Sequence, residues 1–457
     1  MHDLNSRKLV FAVAAFEGPD SYSQAGGLGI RVTGLTRTLA ELGFETHLFF
    51  VGDPALPGVE ARSRGRLILH RWGQWISAWH RGGVYDGEEG KRWDLVHSLP
   101  AWMTERLIVP ALAAGRVPVL LSEDWQTADF ACQLAEHLSS RGLAERVIRF
   151  WNANNTYSFD RIDWPRLTRT NRLTAVSRYM RAILRDRGVD ARIIPNGIPP
   201  RLTEPVDASR VDRLRERLGP RSFVFKMARW GHDKGWQQTL EAIGGLRRAE
   251  QPVTLFARGG GPCQGGKDLA PQAARQGLRV CEVSSAEELD ARLPELGRAG
   301  ADVVSLRFGV TEDLARILYA GAGAVLANSI AEPFGLVGLQ AMAPGGLVVT
   351  SGTGEDYAVD GVNAIVLQSL RPQELTDRVQ EHLAHPGASL ELRRNAVETA
   401  RGYAWCDIVR DRLLPAIEAE LGAAASRSSS RLYTRRSGKP SAPHSSGANM
   451  AESHGGR

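Results

Sequence analysis

Phe223, Val224, Phe225, Lys226, Met227, Ala228, Arg229, Trp230, Gly231, His232, Asp233, Lys234 and Gly235 form the stretch that decides the fold. Residues 223–228 are an apolar run broken only by Lys226 and read as a strand. From Gly235 onward the sequence reads as a helix. Arg229 and Lys234 therefore stand on a strand-to-helix loop. In open α/β sheets ligands lie at the carboxyl ends of the strands. Two fixed cations there suit a diphosphate, since arginine binds oxygen pairs in a bidentate way and lysine acts as a compact charge.

A second stretch runs Glu332, Pro333, Phe334, Gly335, Leu336, Val337, Gly338, Leu339, Gln340, Ala341, Met342, Ala343. A Pro/Gly-containing turn leads into an apolar segment that reads as helical. The N–H groups at a helix's first turn lack intrahelical partners and form an anion site. Here they belong to Gly335, Leu336 and Val337. Glu332, just before them, accepts hydrogen bonds from hydroxyls and does not bind phosphate. One element thus combines phosphate and polyol binding, and a nucleotide-sugar needs both.

Around these stretches the chain alternates strands with helices. Strand candidates in the first half are 9–14, 47–51, 95–97, 117–122, 147–151, 172–176 and 192–194. After the first comes a glycine-rich turn, Gly26, Gly27, Leu28, Gly29, and then a helix with apolar positions Leu35, Leu39 and Leu42 that Gly43 stops. Pro195, Asn196, Gly197, Ile198, Pro199 and Pro200 punctuate the chain and mark a domain boundary. The second half repeats the alternation with candidates 223–228, 253–257, 279–283, 303–306, 324–327 and 347–350, and last helices near 372–383 and 403–421. Such alternation implies an α/β fold with mostly parallel sheets covered on both faces.

On these motifs the chain resembles the retaining glycosyltransferases that include the glycogen and starch synthases, over roughly residues 8–420. Arg229 and Lys234, with four residues between, match that family's basic pair. Glu332 matches the first of its two glutamates, and Gln340 stands where the second is expected. Gln24, Ala25, Gly26, Gly27, Leu28 is similar to the synthases' lysine-x-glycine-glycine-leucine loop, with Gln24 at the lysine position. Asp124, Trp125, Gln126, Thr127 is similar to their aspartate-tryptophan-histidine-threonine segment, with Gln126 for the histidine. Asn154 stands where many relatives carry a histidine beside the scissile bond. Amides donate and accept, which suits sugar hydroxyls, but take up no proton near neutrality.

The resemblance implies the GT-B architecture: two Rossmann-like, doubly wound domains, 1–197 on the acceptor side and 198–402 on the donor side, facing an interdomain cleft. A helix at 403–422 would cross back onto the first domain, and 423–457 would be a disordered basic tail. It also implies transfer of a hexose from a nucleotide-diphosphate sugar to a sugar, glucan or lipid-linked acceptor, with retention. In that scheme Arg229, Lys234 and Glu332 are catalytic. Gly26, Gly27, Gly335, Leu336, Val337 and Gln340 bind the donor. Asp124, Gln126 and Asn154 contact acceptor or sugar. Gln340 would hold the ribose more weakly than a glutamate and alter nucleotide selection. No cofactor is implied and no metal is expected, because no convincing aspartate-x-aspartate site is present. Two alternatives remain open: a catalytically weakened binding protein, motivated by Gln24, Gln126, Asn154 and Gln340, or another GT-B enzyme such as an epimerase or phosphorylase.

Composition fits a large two-domain enzyme. The chain has 457 residues and a formal net charge of +6. Residues 424–457 hold six basic residues against one acid, Glu452, so five of the six net charges lie there. That segment is rich in Ser, Gly, Pro and Ala and reads as disordered. A solvated tail without a partner is preferred over weak contact with anionic lipid, and no specific nucleic-acid binding is expected. No run is apolar enough for a membrane span, and no signal peptide is expected from polar residues 1–8. Cys132, Cys263, Cys281 and Cys406 lack metal-like spacing and read as reduced thiols of a cytoplasmic protein, at most peripheral to a membrane. Trp72, Trp75 and Trp79 have helical spacing; a buried stripe is favoured over an acceptor platform.

Overall fold

A computed structural model describes residues 8–260 and 269–423. The first half forms an eight-stranded sheet: β1 (Leu9–Ala14), β2 (Glu45–Val51), β3 (Val59–Arg62), β4 (Leu67–Trp72), β5 (Val117–Glu123), β6 (Ile148–Ala153), β7 (Arg172–Ala175) and β8 (Arg192–Ile193). Its order is β3-β4-β2-β1-β5-β6-β7-β8, parallel except for β3 on β4. The second half forms a seven-stranded parallel sheet: β9 (Ser222–Ala228), β10 (Val253–Gly259), β11 (Val280–Val283), β12 (Val303–Leu306), β13 (Ala324–Ala327), β14 (Val348–Thr350) and β15 (Ile365–Val366). Its order is β11-β12-β10-β9-β13-β14-β15. The two α/β units are Rossmann-like and doubly wound, the GT-B arrangement.

The winding direction reverses at one strand in each sheet. β1 lies between β2 and β5, and β9 lies between β10 and β13. At such switch points adjacent loops part and open a crevice. Both strands are buried along most of their length, so burial fixes their register. The loops after β1 and β9 thereby face the same gap.

Some expected elements differ. Residues 95–97 are no strand but lie inside the helix Glu88–Met103, where Leu95, Leu99 and Met103 are buried at helical spacing. Strands β3, β4 and β15 were not among the sequence expectations; β3 and β15 are short, and β4 carries His70 and Arg71. Trp72, Trp75 and Trp79 are not a helical stripe. Trp72 ends β4 and packs edge-on against Trp102 at 5.7 Å, whereas Trp75 and Trp79 are 65% and 85% exposed. A strand end followed by one short helical turn produces the same spacing.

The chain crosses between the units twice, and the crossings pair with each other. Ile198 N–H donates to the Tyr403 carbonyl at 2.9 Å, and Trp405 N–H donates to the Ile198 carbonyl at 3.0 Å. Helical residues from Trp405 onward then bury Trp405, Ile408, Val409, Leu413 and Ile417 against the first sheet's core. Gly34 and Gly197 permit this approach: a Cβ at either would lie 2.2 or 2.6 Å from the Trp405 ring. Among the described residues no helix is long and apolar enough to cross a membrane. Cys132, Cys281 and Cys406 are unpaired thiols. The readings of 424–457 and of Cys263 lie outside the described residues.

Candidate active site

The loop after β9 is pinned by contacts with the loop after β13. Gly235 has φ +62 and packs so tightly on the Asn328 carbonyl that a Cβ would lie 2.0 Å away. Ile330 N–H donates to the Asp233 carbonyl at 2.7 Å. Lys234 Nζ is thereby brought to Glu332 Oε2 at 2.8 Å and Asp233 Oδ2 at 3.0 Å. Burial works against the Lys234 charge, but Glu332 and Asp233 more than offset it and hold its pKa above the ordinary lysine value. The Arg229 guanidinium has no carboxylate partner among the described residues. One cation is thus fixed and the other is free for a ligand.

After β13 the chain passes Glu332 and turns at Gly335, φ +80, into the helix Leu336–Met342. A Cβ at Gly335 would lie 2.6 Å from Glu355 Cγ, so the turn needs glycine. Tyr357 Oη donates to the Gly335 carbonyl. The N–H groups of Gly335, Leu336 and Val337 meet no acceptor among the described residues. Beneath them Glu355 is buried, and burial with the nearby Glu332 charge pushes its pKa up to about 8.

Two cavities meet at these groups. One, of about 510 Å³, is lined by Lys226, Arg229, Arg258, Val337 and Gln340. The other, of about 610 Å³, is lined by Glu17, Glu88, Trp125, Gln126 and Asn154. Gly26, Gly27, Lys234, Glu332, Gly335 and Leu336 line both, as does Arg229. The site residues named from sequence therefore lie around one cleft, with a single exception.

That exception is Asp124, which lines neither cavity. It is fully buried, with φ +69 and ψ 173 at the end of β5. Its carboxyl accepts from Trp125 N–H at 2.9 Å and from the Asn155 amide. Burial, then Glu123 and Glu17, raise its pKa to about 8. The expectation of a sugar contact is corrected: Asp124 holds the Trp125 turn and Asn155 in place behind the cavity wall.

The glycine-rich turn after β1 is built around an internal carboxylate. Its cradle is filled from within by Glu17, a buried residue that the sequence reading missed. Glu17 Oε2 accepts from Ala25, Gly26 and Gly29 N–H at 3.1, 2.8 and 3.0 Å. Its other oxygen accepts from Tyr85 Oη at 2.5 Å. A carboxylate suits the positive end of the helix Gly27–Glu41. Gly26 and Gly27 border the cleft, but the amide cradle that they start already holds an anion.

Behind this wall lies a buried network. Glu123 Oε2 accepts from Arg31 Nε, Asn152 Nδ2 and Asn154 Nδ2 at 2.9, 2.9 and 2.8 Å. Arg31 also donates to Asn196 Oδ1 at 2.8 Å, next to the interdomain crossing. Lys226 is buried under the first of the two cavities, with Nζ donating to Asn328 Oδ1 at 2.7 Å. Burial, then the Lys234 charge, lower its pKa to about 7. Glu17 and Lys226 each had a signal: Glu17 stands just past the first strand's carboxyl end, and Lys226 breaks an apolar run. Among the described residues no cluster of three or more His, Cys, Asp or Glu could hold a metal.

Known proteins resemble this chain in both halves. Residues 25–202 match the family described as Glycosyltransferase Family 4, and residues 212–403 match the family described as Glycosyl transferases group 1. A glycogen synthase of Bordetella bronchiseptica is 27% identical over 247 residues, which is 50% of this chain and 47% of that protein. The chain thus spans about half the length of that relative. Sucrose-phosphate synthase from Thermosynechococcus elongatus shares the fold at TM-score 0.66 and 18% identity, covering 91% of this chain and all of that one. An alpha,alpha-trehalose-phosphate synthase (UDP-forming) from Burkholderia xenovorans, in complex with glucose-6-phosphate, does so at TM-score 0.63 and 15% identity, covering 90% of this chain and all of that one.

Proposed function

The chain belongs to the GT-B glycosyltransferases that join a Family 4 domain to a group 1 domain, and from that premise we propose that it transfers a hexose from a nucleotide-diphosphate sugar to a carbohydrate or lipid-linked acceptor with retention at the anomeric carbon. The observation that carries this is the convergence of Arg229, Lys234 and Glu332 on one cleft at the carboxyl ends of β9 and β13.

In this mechanism the bond between anomeric carbon and phosphate oxygen breaks as an acceptor hydroxyl attacks from the same face. Its proton passes to the departing diphosphate, so the protein need supply no general base. What the protein supplies is charge stabilisation fixed in advance. Arg229, Lys234 and the N–H groups of Gly335, Leu336 and Val337 meet the charge that grows on the diphosphate. Glu332 orients the sugar through its hydroxyls, and its contact with Lys234 sets hexose and phosphate in register. Gln340 lines the donor-side cavity and takes the nucleotide's ribose with its amide oxygen. With two cations and a row of amides on the leaving group, the step is proposed to run without a metal. One fold neighbour, the trehalose-phosphate synthase, is UDP-forming, which supports a nucleoside diphosphate as the leaving group proposed here.

Nucleoside diphosphate release from a panel of nucleotide-sugars tests the reading. Release from at least one donor with a carbohydrate acceptor, and an axial or equatorial product linkage matching the donor's on NMR, is the expected result. An inverted linkage would reject retention. No release with any donor would favour the binding-protein reading that Gln24, Gln126, Asn154 and Gln340 motivate.

A further inference from the structure

Lys226 is a buried amine for which the mechanism has no use. It stands near the carboxyl end of β9, is 1% exposed and borders the first cavity together with Arg229, Lys234 and Arg258. Its Nζ donates to Asn328 Oδ1 at 2.7 Å and to the Leu326 carbonyl at 3.3 Å. A neutral amine has two N–H donors, and these two acceptors satisfy both. An ammonium has a third, and the Trp236 ring, 5.4 Å from Nζ, offers it a π face.

Both ends of the loop that carries the basic pair rest on these partners. Asn328 packs against Gly235, and Trp236 Nε1 donates to the Arg229 carbonyl at 2.9 Å. Around Lys226, β10 presents Ala257, β13 presents Leu326 and the helix Trp236–Arg248 presents Trp236, none of them charged. The charges that reach it are Lys234, which repels, and Glu332, which attracts; Asp233 and Glu332 are already paired with Lys234. Burial and this repulsion favour the neutral amine. A diphosphate in the cavity reverses that balance, because its negative charge outweighs the repulsion and favours the ammonium.

We propose that Lys226 is a third cation of the diphosphate site that forms only with the ligand: its amine takes one proton from solvent as a nucleoside diphosphate binds, and through Asn328 the ammonium tightens the turn that carries Lys234. Lys226 is thus a positioning residue, and its role rests on the glycosyltransferase reading. The bound state holds more protons, so affinity falls as pH rises above 7. Isothermal titration of the full chain with the tightest of a nucleoside diphosphate panel, in two buffers of different ionisation enthalpy, tests this. Wild type takes up about half a proton or more at pH 8 and loses about fivefold in affinity between pH 7.5 and 9. Glu355 is also buried near Glu332 and protonates in the same range, so variants must separate the two. Lys226→Met or Lys226→Gln removes at least half of the uptake and flattens the affinity profile, whereas Glu355→Gln keeps at least half. Binding by wild type without proton uptake overturns the proposal, and so does uptake that survives both Lys226 variants. A merely structural Lys226 would lower affinity equally at both pH values and leave the proton count alone, which also overturns it. Failure of the underlying reading shows separately, as no nucleoside diphosphate binding by wild type at any pH.

Discussion

Two glycine-rich helix starts face each other across the cleft, and they are in opposite states. The one at Gly26 and Gly27 is closed by Glu17, which takes three main-chain donors. The one at Gly335 and Leu336 is open, because Glu332 turns aside to Lys234. The same backbone device thus serves as a structural cap on one wall and is left without an acceptor among the described residues on the other, where the proposed function places the diphosphate. What separates them is the reach of one carboxylate, set by where it leaves its strand.

The largest expected effect is on the open side. Arg229→Ala and Lys234→Ala should each lower kcat/KM for donor by roughly 10²–10³-fold, the range for removing one preorganised donor to a developing anion. An effect under about threefold for both would erase the functional contrast between the walls. On the closed side the effect should appear in stability. Glu17→Ala strands three amides and the Tyr85 hydroxyl beside a wet cavity and should cost about 2 kcal/mol in urea unfolding. No loss would mean that the cap is dispensable and the cradle available.

Gln340→Glu sharpens the contrast further. A carboxylate accepts a ribose hydroxyl more strongly than an amide does, so nucleoside diphosphate affinity should rise about tenfold by calorimetry. The smallest effect concerns pH. Lys226 binds its proton with a pKa of about 7 when folded, against 10.5 ordinarily, so the unfolded chain holds more protons between those values. Its contribution to stability is therefore complete above 10.5 and is lost as pH falls toward 7. Asp124 and Glu355, raised to about 8, act oppositely, losing stability as pH rises through that value. Lys226→Met should remove the rise in melting temperature of the wild type between about pH 8 and 10. Parallel curves would show that Lys226 is not held neutral.

Much of the open wall was legible in sequence. Apolar runs fixed β9 and β13, and their carboxyl ends necessarily carry Arg229, Lys234 and Glu332 to one crevice. The closed wall was not. Glu17 and Gly26 are nine residues apart, and only the fold of the intervening loop decides that the carboxylate curls back onto the amides. Asp124 sits in a motif that reads as a contact, yet its buried, left-handed backbone turns it inward. The stretch 95–97 was misread because three apolar residues fit both periods, and the tryptophans at 72, 75 and 79 because spacing alone cannot separate a strand end from a helix.

The most direct test compares the two walls in one experiment, calorimetric titration of a nucleoside diphosphate panel against wild type, Arg229→Ala and Glu17→Gln. The account predicts that the tightest ligand of the wild type loses at least about tenfold in affinity with Arg229→Ala and is unchanged within about twofold with Glu17→Gln. Loss confined to Glu17→Gln, or equal binding by all three proteins, would contradict it.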